Sequence, residues 1–226
     1  ILITAVAASL VSITASAQII QSKIIDKGGS GPYPAIAATE RTLTDYVVYR
    51  PKDLQAASNK EGPLPVLAFG NGGCMDSSIT HERLLSEVAS HGYVIVAIGA
   101  LQLNGEREVK STPSSMLVDA MDWLEQHAGD KNSDYYNRID LQRLGVMGQS
   151  CGGAQVLVAA KDKRVRTSVM FNAGIGDMTM AGANADSLKH LHAPILYVIG
   201  GPEEVAHPNA VLDYDRLQHV PVVFAD

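Results

Sequence analysis

The sequence is poor in aromatic residues, cysteine and clustered positive charge. Aromatic side chains make up 5% of the 226 residues, and there are two cysteines and one tryptophan. The 18 lysines and arginines against 24 acidic residues give a formal net charge of -6, and the basic residues form no cluster. The lack of a basic patch argues against a nucleic-acid partner. No His-Glu-x-x-His pattern or Cys/His cluster is present, so we expect no metal and no organic cofactor.

Apolar residues, by contrast, are abundant. They make up 46% of the chain, which indicates a folded globular protein rather than a disordered one. A length of 226 residues suits one domain with a full hydrophobic core and is short for two. We expect a single α/β domain and a monomer.

The first residues have the pattern of a secretory signal peptide. Residues 1–13 form an uncharged apolar run, and residues 15–17 read Ala-Ser-Ala, which matches an A-x-A cleavage site. We therefore expect a partial signal peptide over residues 1–17, without its initiator Met and basic region. The protein should be secreted or periplasmic, with no stable membrane association after cleavage. An uncleaved membrane anchor is the alternative.

Residues 18–42 are predicted to be a lead-in segment, because a Gly/Pro cluster at 28–34 is typical of a loop. From residue 43 to 226, apolar strand-like runs alternate with helical patterns. This alternation predicts βαβ units in a mostly parallel, doubly wound sheet with helices on both faces. The predicted strands are 43–49, 64–69, 93–98, 144–147, 167–171, 195–199 and 220–224, and the predicted helices are 79–90, 116–126 and 154–160.

Residues 148–152 read Gly-Gln-Ser-Cys-Gly, the G-x-S-x-G pattern of a nucleophile elbow. In this motif a sharp strand-to-helix turn presents a serine hydroxyl clear of the sheet, and the glycines allow close backbone approach. The sequence therefore predicts Ser150 as a nucleophile and the backbone N–H of Cys151 as half of an oxyanion hole. The alternative is a glycine-rich turn that binds phosphate or only reverses the chain. Nucleotide binding is disfavoured because neither the Walker nor the G-x-G-x-x-G pattern is matched.

A second glycine-rich loop, residues 70–74, directly follows the predicted strand 64–69. The second oxyanion donor of esterases with this elbow comes from such a place in the chain. Gly72 or Gly73 is the predicted donor, with Cys74 next. An ordinary glycine-rich turn is the alternative.

Three segments carry a resemblance to a known superfamily. Residues 70–78, 88–94 and 144–153 resemble the α/β-hydrolases that include bacterial cutinase-like polyester hydrolases, chlorophyllases and relatives of dienelactone hydrolase. The resemblance covers most of residues 43–226. It implies an α/β-hydrolase fold and a serine esterase that cleaves a small-molecule or polymeric ester through an acyl-enzyme. The aromatic residue that clamps substrate in the oxyanion loop of the polyester hydrolases is replaced here by Gly or Asn, which argues against polymer hydrolysis.

A serine triad also needs an acid, which follows the second strand after the nucleophile strand in this fold. The family usually has Asp there, often four residues before Pro, and Pro208 lies four residues after Glu204. Glu204 is therefore the first candidate and Glu203 the second, with Asp177 as a more distant alternative. The alternative is that both glutamates are solvated loop carboxylates without a catalytic role.

The base should follow the last strand, predicted at 220–224, and the sequence given stops at Asp226. We expect the catalytic histidine beyond residue 226. Of the histidines present, His207 in the acid loop is the one candidate substitute, whereas His81 and His127 are predicted to lie on helix surfaces. Without a histidine near Ser150 the chain should have little or no hydrolytic activity, because serine attack needs an adjacent base.

The two cysteines flank the two predicted oxyanion donors. Two N–H groups aimed at one oxygen lie close together, which brings their Cα atoms within the range that a disulfide spans. We therefore predict a Cys74–Cys151 disulfide, with two small buried thiols as the alternative.

Sequence alone leaves other functions open. A peptidase or acyltransferase would use the same acyl-enzyme machinery, and a scaffold without its base would serve only for binding. The predicted walls of the pocket are the loops at 103–113 and 173–186, by their position after sheet strands.

Overall fold

A computed structural model describes residues 19–103 and 107–226 of the chain. The predicted signal peptide, residues 1–17, lies outside the described residues. Within them, nine strands form one sheet and five α-helices accompany it. The strands are β1 (Ile19–Lys23), β2 (Ala35–Glu40), β3 (Leu43–Pro51), β4 (Leu64–Gly70), β5 (Val94–Ile98), β6 (Ile139–Gln149), β7 (Thr167–Phe171), β8 (Ile195–Val198) and β9 (Val222–Ala225). The helices are α1 (Leu54–Glu61), α2 (Glu82–Ser90), α3 (Ser115–Gly129), α4 (Cys151–Ala159) and α5 (His207–Arg216).

The strands lie in the order β1-β2-β3-β5-β4-β6-β7-β8-β9. The pairs β1–β2, β2–β3 and β3–β5 are antiparallel, and every pair from β5 to β9 is parallel. The predicted mostly parallel sheet is thus present. Since the carboxyl ends of parallel strands share one edge, the loops after β4, β6, β7 and β8 meet there, which is the usual place for a site in such a sheet.

Helices cover both faces of the sheet. On one face, Leu85 and Ala89 of α2 pack against β-strand residues that include Ile95 and Phe69. On the other face, helices α1, α3, α4 and α5 enclose a larger apolar core around β4, β5 and β6. Strands buried from both sides are apolar nearly throughout, which explains why β5 reads Val-Ile-Val-Ala-Ile.

Residues 19–42 of the predicted lead-in segment are not only a loop. They carry β1 and β2, and all six residues of β2 are buried between β1 and β3. The alanines of β2 have low strand propensity, so they gave no strand signal, yet they fit closely beneath α2. Two helices, α1 and α5, were also not predicted from the sequence.

The prediction of a surface position for His127 is wrong. Its side chain is 2% exposed and packs against the ring of Trp123, with the ring centroids 4.4 Å apart. It shares the face of α3 that carries Ala120 and Leu124, and burial lowers its pKa. In the described part of the chain, no helix has the length and apolar character needed to cross a membrane.

Candidate active site

Ser150 occupies a strained turn between β6 and α4. Its φ is 53° and its ψ is -119°, a conformation that residues with a side chain rarely adopt. Its N–H donates to the carbonyl oxygen of Phe171 at 3.0 Å, and its carbonyl oxygen accepts from the N–H of Gly153 at 2.8 Å. The sheet and the helix thus fix the turn from both sides. This is the geometry of a nucleophile elbow, which holds the serine side chain clear of the sheet.

The glycines around Ser150 allow close backbone contact between three segments: the end of β6, the start of α4 and the end of β4. A β carbon on Gly148 would lie 2.3 Å from the carbonyl oxygen of Gly152, and one on Gly152 would lie 2.1 Å from the carbonyl oxygen of Gly70. Both distances are far below a van der Waals contact, so no other residue fits without displacing the backbone. The elbow is therefore pressed directly onto the end of β4.

The glycine-rich loop after β4 forms a tight turn beside the elbow. Gly73 and Cys74 have positive φ values of 62° and 53°. The N–H of Cys74 donates to Asn71 at 3.1 Å, so it is already engaged. Among the described residues, the N–H groups of Gly72 and Gly73 have no hydrogen-bond acceptor. This favours one of the two predicted glycines over Cys74 as the second oxyanion donor.

A disulfide joins Cys74 to Cys151, with the two Cα atoms 5.1 Å apart. The predicted pairing is therefore present. Cys151 is the first residue of α4, and Cys74 lies next to Gly73 in the loop after β4. The bond links the two segments that carry the predicted oxyanion donors, at the side of Ser150.

Buried amides anchor the same loop, a feature that the sequence did not reveal. Asn71 is 1% exposed, and its Nδ2 donates to the carbonyl oxygens of Met75 at 2.8 Å and Ile98 at 2.7 Å. From the other side, the N–H and hydroxyl of Thr112 both donate to the carbonyl oxygen of Cys74 at 2.8 Å. The Nε2 of Gln155 in turn donates a hydrogen bond to the carbonyl oxygen of Thr112 at 2.9 Å.

His81 lies beside the elbow and not on an open helix surface, so that prediction needs correction. It ends a 3₁₀ turn ahead of α2, which directs its ring onto Phe69, with the ring centroids 5.1 Å apart. Burial lowers the pKa of His81, and a hydrogen bond with the side chain of Gln149 partly opposes this. The Oε1 of Gln149 packs against Gly72, where a β carbon would lie only 2.2 Å away.

A cavity of about 190 Å³ opens at Ser150. Its walls come from the elbow and α4, from the loop after β7, from the loop after β8 and from the start of α5, and none of the lining side chains is charged. The lining residues are Ser150, Ala154, Asn172, Ala173, Gly174, Met178, Met180, Val205, Ala206 and Asn209. The predicted wall at 173–186 thus contributes. Of the predicted wall at 103–113, residues 104–106 lie outside the described residues and none of the others lines this cavity.

The three candidate acids have different surroundings. Glu204 is half-buried in the loop after β8, and its Oε2 accepts from the N–H of Ala206 at 2.8 Å. Glu203 is exposed. Asp177 is 81% exposed and pairs with Arg216 at 2.5 Å. Glu204 is therefore the one of the three that is held in place next to cavity residues.

His207, the predicted substitute base, is the first residue of α5. Its Nε2 lies 3.4 Å from Oδ2 of Asp226, and its ring meets Phe224 edge-on. Across the part of the chain that the structure describes, no histidine donates to or accepts from the Ser150 hydroxyl. The described residues thus place the predicted nucleophile beside the predicted oxyanion loop, and Glu204 directly precedes two residues that line the cavity at Ser150.

Comparison with known proteins agrees with this arrangement. The sequence model of the family described as "PETase: PET hydrolase-like" matches residues 66–217, well over half of the chain. Cutinase est1 of Thermobifida alba is 36% identical over 76 residues, which is 34% of this chain and 24% of that protein. Chlorophyllase type 0 of Chenopodium album is 27% identical over 146 residues, which is 62% of this chain and 42% of that protein. The matches thus span less than half the length of these relatives.

Two solved structures share the fold. A putative dienelactone hydrolase from Klebsiella pneumoniae subsp. pneumoniae superposes with a TM-score of 0.56 at 16% identity, over 91% of this chain and 85% of that one. Acetyl xylan esterase 1 from Thermoanaerobacterium sp. gives a TM-score of 0.51 at 15% identity, over 91% and 81% of the two chains. The predicted α/β-hydrolase fold is confirmed.

Proposed function

This chain belongs to the PET hydrolase-like family, and on that basis we propose that it is a secreted serine hydrolase that cleaves carboxylic esters through an acyl-enzyme intermediate. The observation that carries the proposal is the conformation of Ser150, with a φ of 53° at the mouth of an uncharged cavity. A strained serine at a strand-to-helix turn is costly to keep, and such strain concentrates at functional sites.

In the proposed reaction the Ser150 hydroxyl attacks the acyl carbon of the ester and gives its proton to a histidine. The N–H groups of Cys151 and of Gly72 or Gly73 hold the negative oxygen that develops on the acyl group. The histidine then returns the proton to the departing alcohol, and water releases the acyl group from Ser150 by the same steps. Glu204 is the proposed acid that orients the histidine, with Glu203 as the alternative.

The Cys74–Cys151 disulfide supports the proposed location outside the cytoplasm, because disulfides persist in oxidising compartments. It also supports the proposed oxyanion hole. The donors that stabilise a transition state must be fixed before the reaction, and a covalent link between their two segments restricts their separation.

An uncharged ester of modest size is the proposed substrate. The relatives and structural neighbours include proteins named cutinase, chlorophyllase and acetyl xylan esterase, all names of ester-cleaving enzymes. The cavity has a volume of about 190 Å³ and no charged lining residue. An apolar cavity of about 150 Å³ holds a six-carbon molecule, so a short uncharged acyl group fits this one.

The direct test is hydrolysis of a p-nitrophenyl ester series from acetate to octanoate by the full-length protein and by its Ser150→Ala variant. We expect ester-dependent release of p-nitrophenol by the parent and its loss in the variant. Equal rates for the two proteins would refute Ser150 as the nucleophile. Activity on peptide substrates alone would refute the ester assignment.

A further inference from the structure

Two segments that are separate in the chain contribute adjacent parts of the cavity wall at Ser150. The loop after β7 contributes Gly174 and Met178, and the start of α5 contributes Asn209. The width of the cavity therefore depends on how this loop is held against α5.

The loop and the helix are in direct backbone contact. A β carbon on Gly174 would lie 2.2 Å from the backbone nitrogen of Ala210. Gly176 has a φ of 51°, and a β carbon there would lie 2.3 Å from Oδ1 of Asn209. The Nδ2 of Asn209 also contacts the sulfur of Met178 at 3.8 Å, across the cavity wall.

One carboxylate behind the cavity fastens this contact. Asp213 of α5 is 0% exposed. Its Oδ2 accepts from the N–H of Ile175 at 2.7 Å and its Oδ1 from the N–H of Gly176 at 2.9 Å. The hydroxyl of Tyr197 in β8 donates to Oδ2 at 3.3 Å. Both carboxylate oxygens are thus used, by two consecutive N–H groups of the loop.

An outer contact reinforces the inner one. Arg216, one helical turn further along α5, donates to the carbonyl oxygen of Gly176 at 2.6 Å and pairs with Asp177 at 2.5 Å. Asp213 and Arg216 therefore bind the same short loop segment. Asp213 accepts from its N–H groups, and Arg216 donates to one of its carbonyl oxygens.

A buried carboxylate is an expensive way to attach a loop. Removing such a group from water carries a large desolvation penalty, and apolar packing often stabilises a fold at least as well. The carboxylate instead fixes the orientation of the loop backbone, because it binds two adjacent N–H groups at once. That property suits a loop whose exact position matters.

We propose that Asp213 is a positioning residue for the ester cavity, holding the loop at 174–178 against α5 and thereby setting which acyl groups fit beside Ser150. The proposal rests on the proposed esterase function, since it assumes that this cavity receives the ester. Asp213 does not line the cavity and would not touch the substrate. It acts through Gly174, Met178 and Asn209, which do line the cavity.

The test is acyl-chain selectivity in the Asp213→Asn variant of the full-length protein. The amide offers one acceptor oxygen and places an N–H₂ opposite an N–H donor, so one of the two loop contacts is lost. We expect the ratio of kcat/KM for hexanoate over acetate p-nitrophenyl esters to change by roughly tenfold, the size of a one-methylene misfit in a pocket. The change should lie mainly in KM, while a fluorophosphonate still labels Ser150.

Glu40→Gln is the matched control. Glu40 is also a buried carboxylate, 1% exposed, and it accepts from the Tyr135 hydroxyl at 2.6 Å, away from the cavity. We expect it to lower the melting temperature without altering the ester ratio. If Asp213→Asn also lowers the melting temperature and leaves the ratio unchanged, the positioning role is overturned.

Two further measurements keep the proposal testable. If Asp213→Asn does not fold, Arg216→Gln removes the outer contact, and it should shift the ratio in the same direction by a smaller factor; an unchanged ratio would overturn the proposal. If the parent cleaves no ester, the proposed function fails. Hydrogen exchange then decides the role of Asp213 in the loop. Exchange of the Ile175 and Gly176 amide hydrogens should be faster in Asp213→Asn than in the parent and in Glu40→Gln. Unchanged exchange at these two residues would overturn the positioning role of Asp213.

Discussion

Cys74 and Cys151 are 77 residues apart in the chain and are joined by a disulfide that links the loop after β4 to the first residue of α4. The bond runs beside Ser150, between the two segments that carry the proposed oxyanion donors. Its position suggests two separable contributions, one to the stability of the whole domain and one to the geometry of the site.

Replacing both cysteines by serine should therefore lower both stability and kcat. Closing a loop of this length stabilises a folded protein by about 4.5 kcal/mol on the chain-entropy estimate. Urea unfolding with and without reductant measures the effect. Reductant should destabilise the parent and leave the double-serine variant unaffected. A parent that retains its unfolding midpoint in reductant would contradict the prediction.

Gly152→Ala should damage the elbow. The added β carbon would lie 2.1 Å from the carbonyl oxygen of Gly70 and 2.8 Å from the backbone nitrogen of Asn71, and no flexible side chain is there to move aside. We expect a loss of about 3 kcal/mol in the free energy of unfolding, the upper end for overpacking, together with loss of ester hydrolysis. Gly129→Ala is the control, because a β carbon at this α3 residue meets nothing within 4 Å. Similar behaviour of the two variants would contradict the close-contact argument.

The two neighbouring glutamates provide a paired test of the triad acid. Glu204→Gln should lower kcat by up to about 10⁴-fold, as expected when the group that orients a catalytic histidine loses its charge. Glu203→Gln should leave kcat/KM close to the parent value, because this side chain is exposed. Steady-state kinetics of both variants decides between them, and the reverse order of effects would assign the role to Glu203.

The Glu87 carboxylate should give the protein an acid-sensitive contact. It accepts from the hydroxyl and the N–H of Ser30, which lower its pKa from 4.5 to about 2, and His91 adds a third hydrogen bond. A carboxyl with a lowered folded-state pKa stabilises the fold above its unfolded pKa and loses this contribution as pH falls towards the folded value. Glu87→Gln should therefore lower the melting temperature near neutral pH and match the parent near pH 2. A difference that stays constant between these limits would contradict the assignment.

The sequence predicted those features whose signal is local. The elbow around Ser150 is a short motif flanked by a strand and a helix, and the central strands β4 and β5 read as apolar runs because they are buried nearly throughout. The disulfide was predicted because two donors that bind one oxygen must lie close together. β2 was missed since its alanines carry little strand propensity.

Features that depend on distant partners could not be read from the chain. Asn71 reaches a carbonyl oxygen 27 residues away, and Asp213 reaches an N–H 38 residues away. Neither residue belongs to a motif, and each gains its role only when the carboxyl ends of the strands meet at one edge. His81 likewise looked like a helix-surface residue until the turn before α2 placed its ring on Phe69.

The central claim is that Ser150 is the nucleophile, and covalent trapping tests it most directly. The full-length protein is incubated with a fluorophosphonate and digested, and the modified peptide is identified by mass spectrometry. The account predicts one phosphonyl adduct on Ser150, its absence in Ser150→Ala, and loss of ester hydrolysis in parallel with labelling. An adduct on another residue, or ester hydrolysis that persists after Ser150 is fully modified, would contradict it.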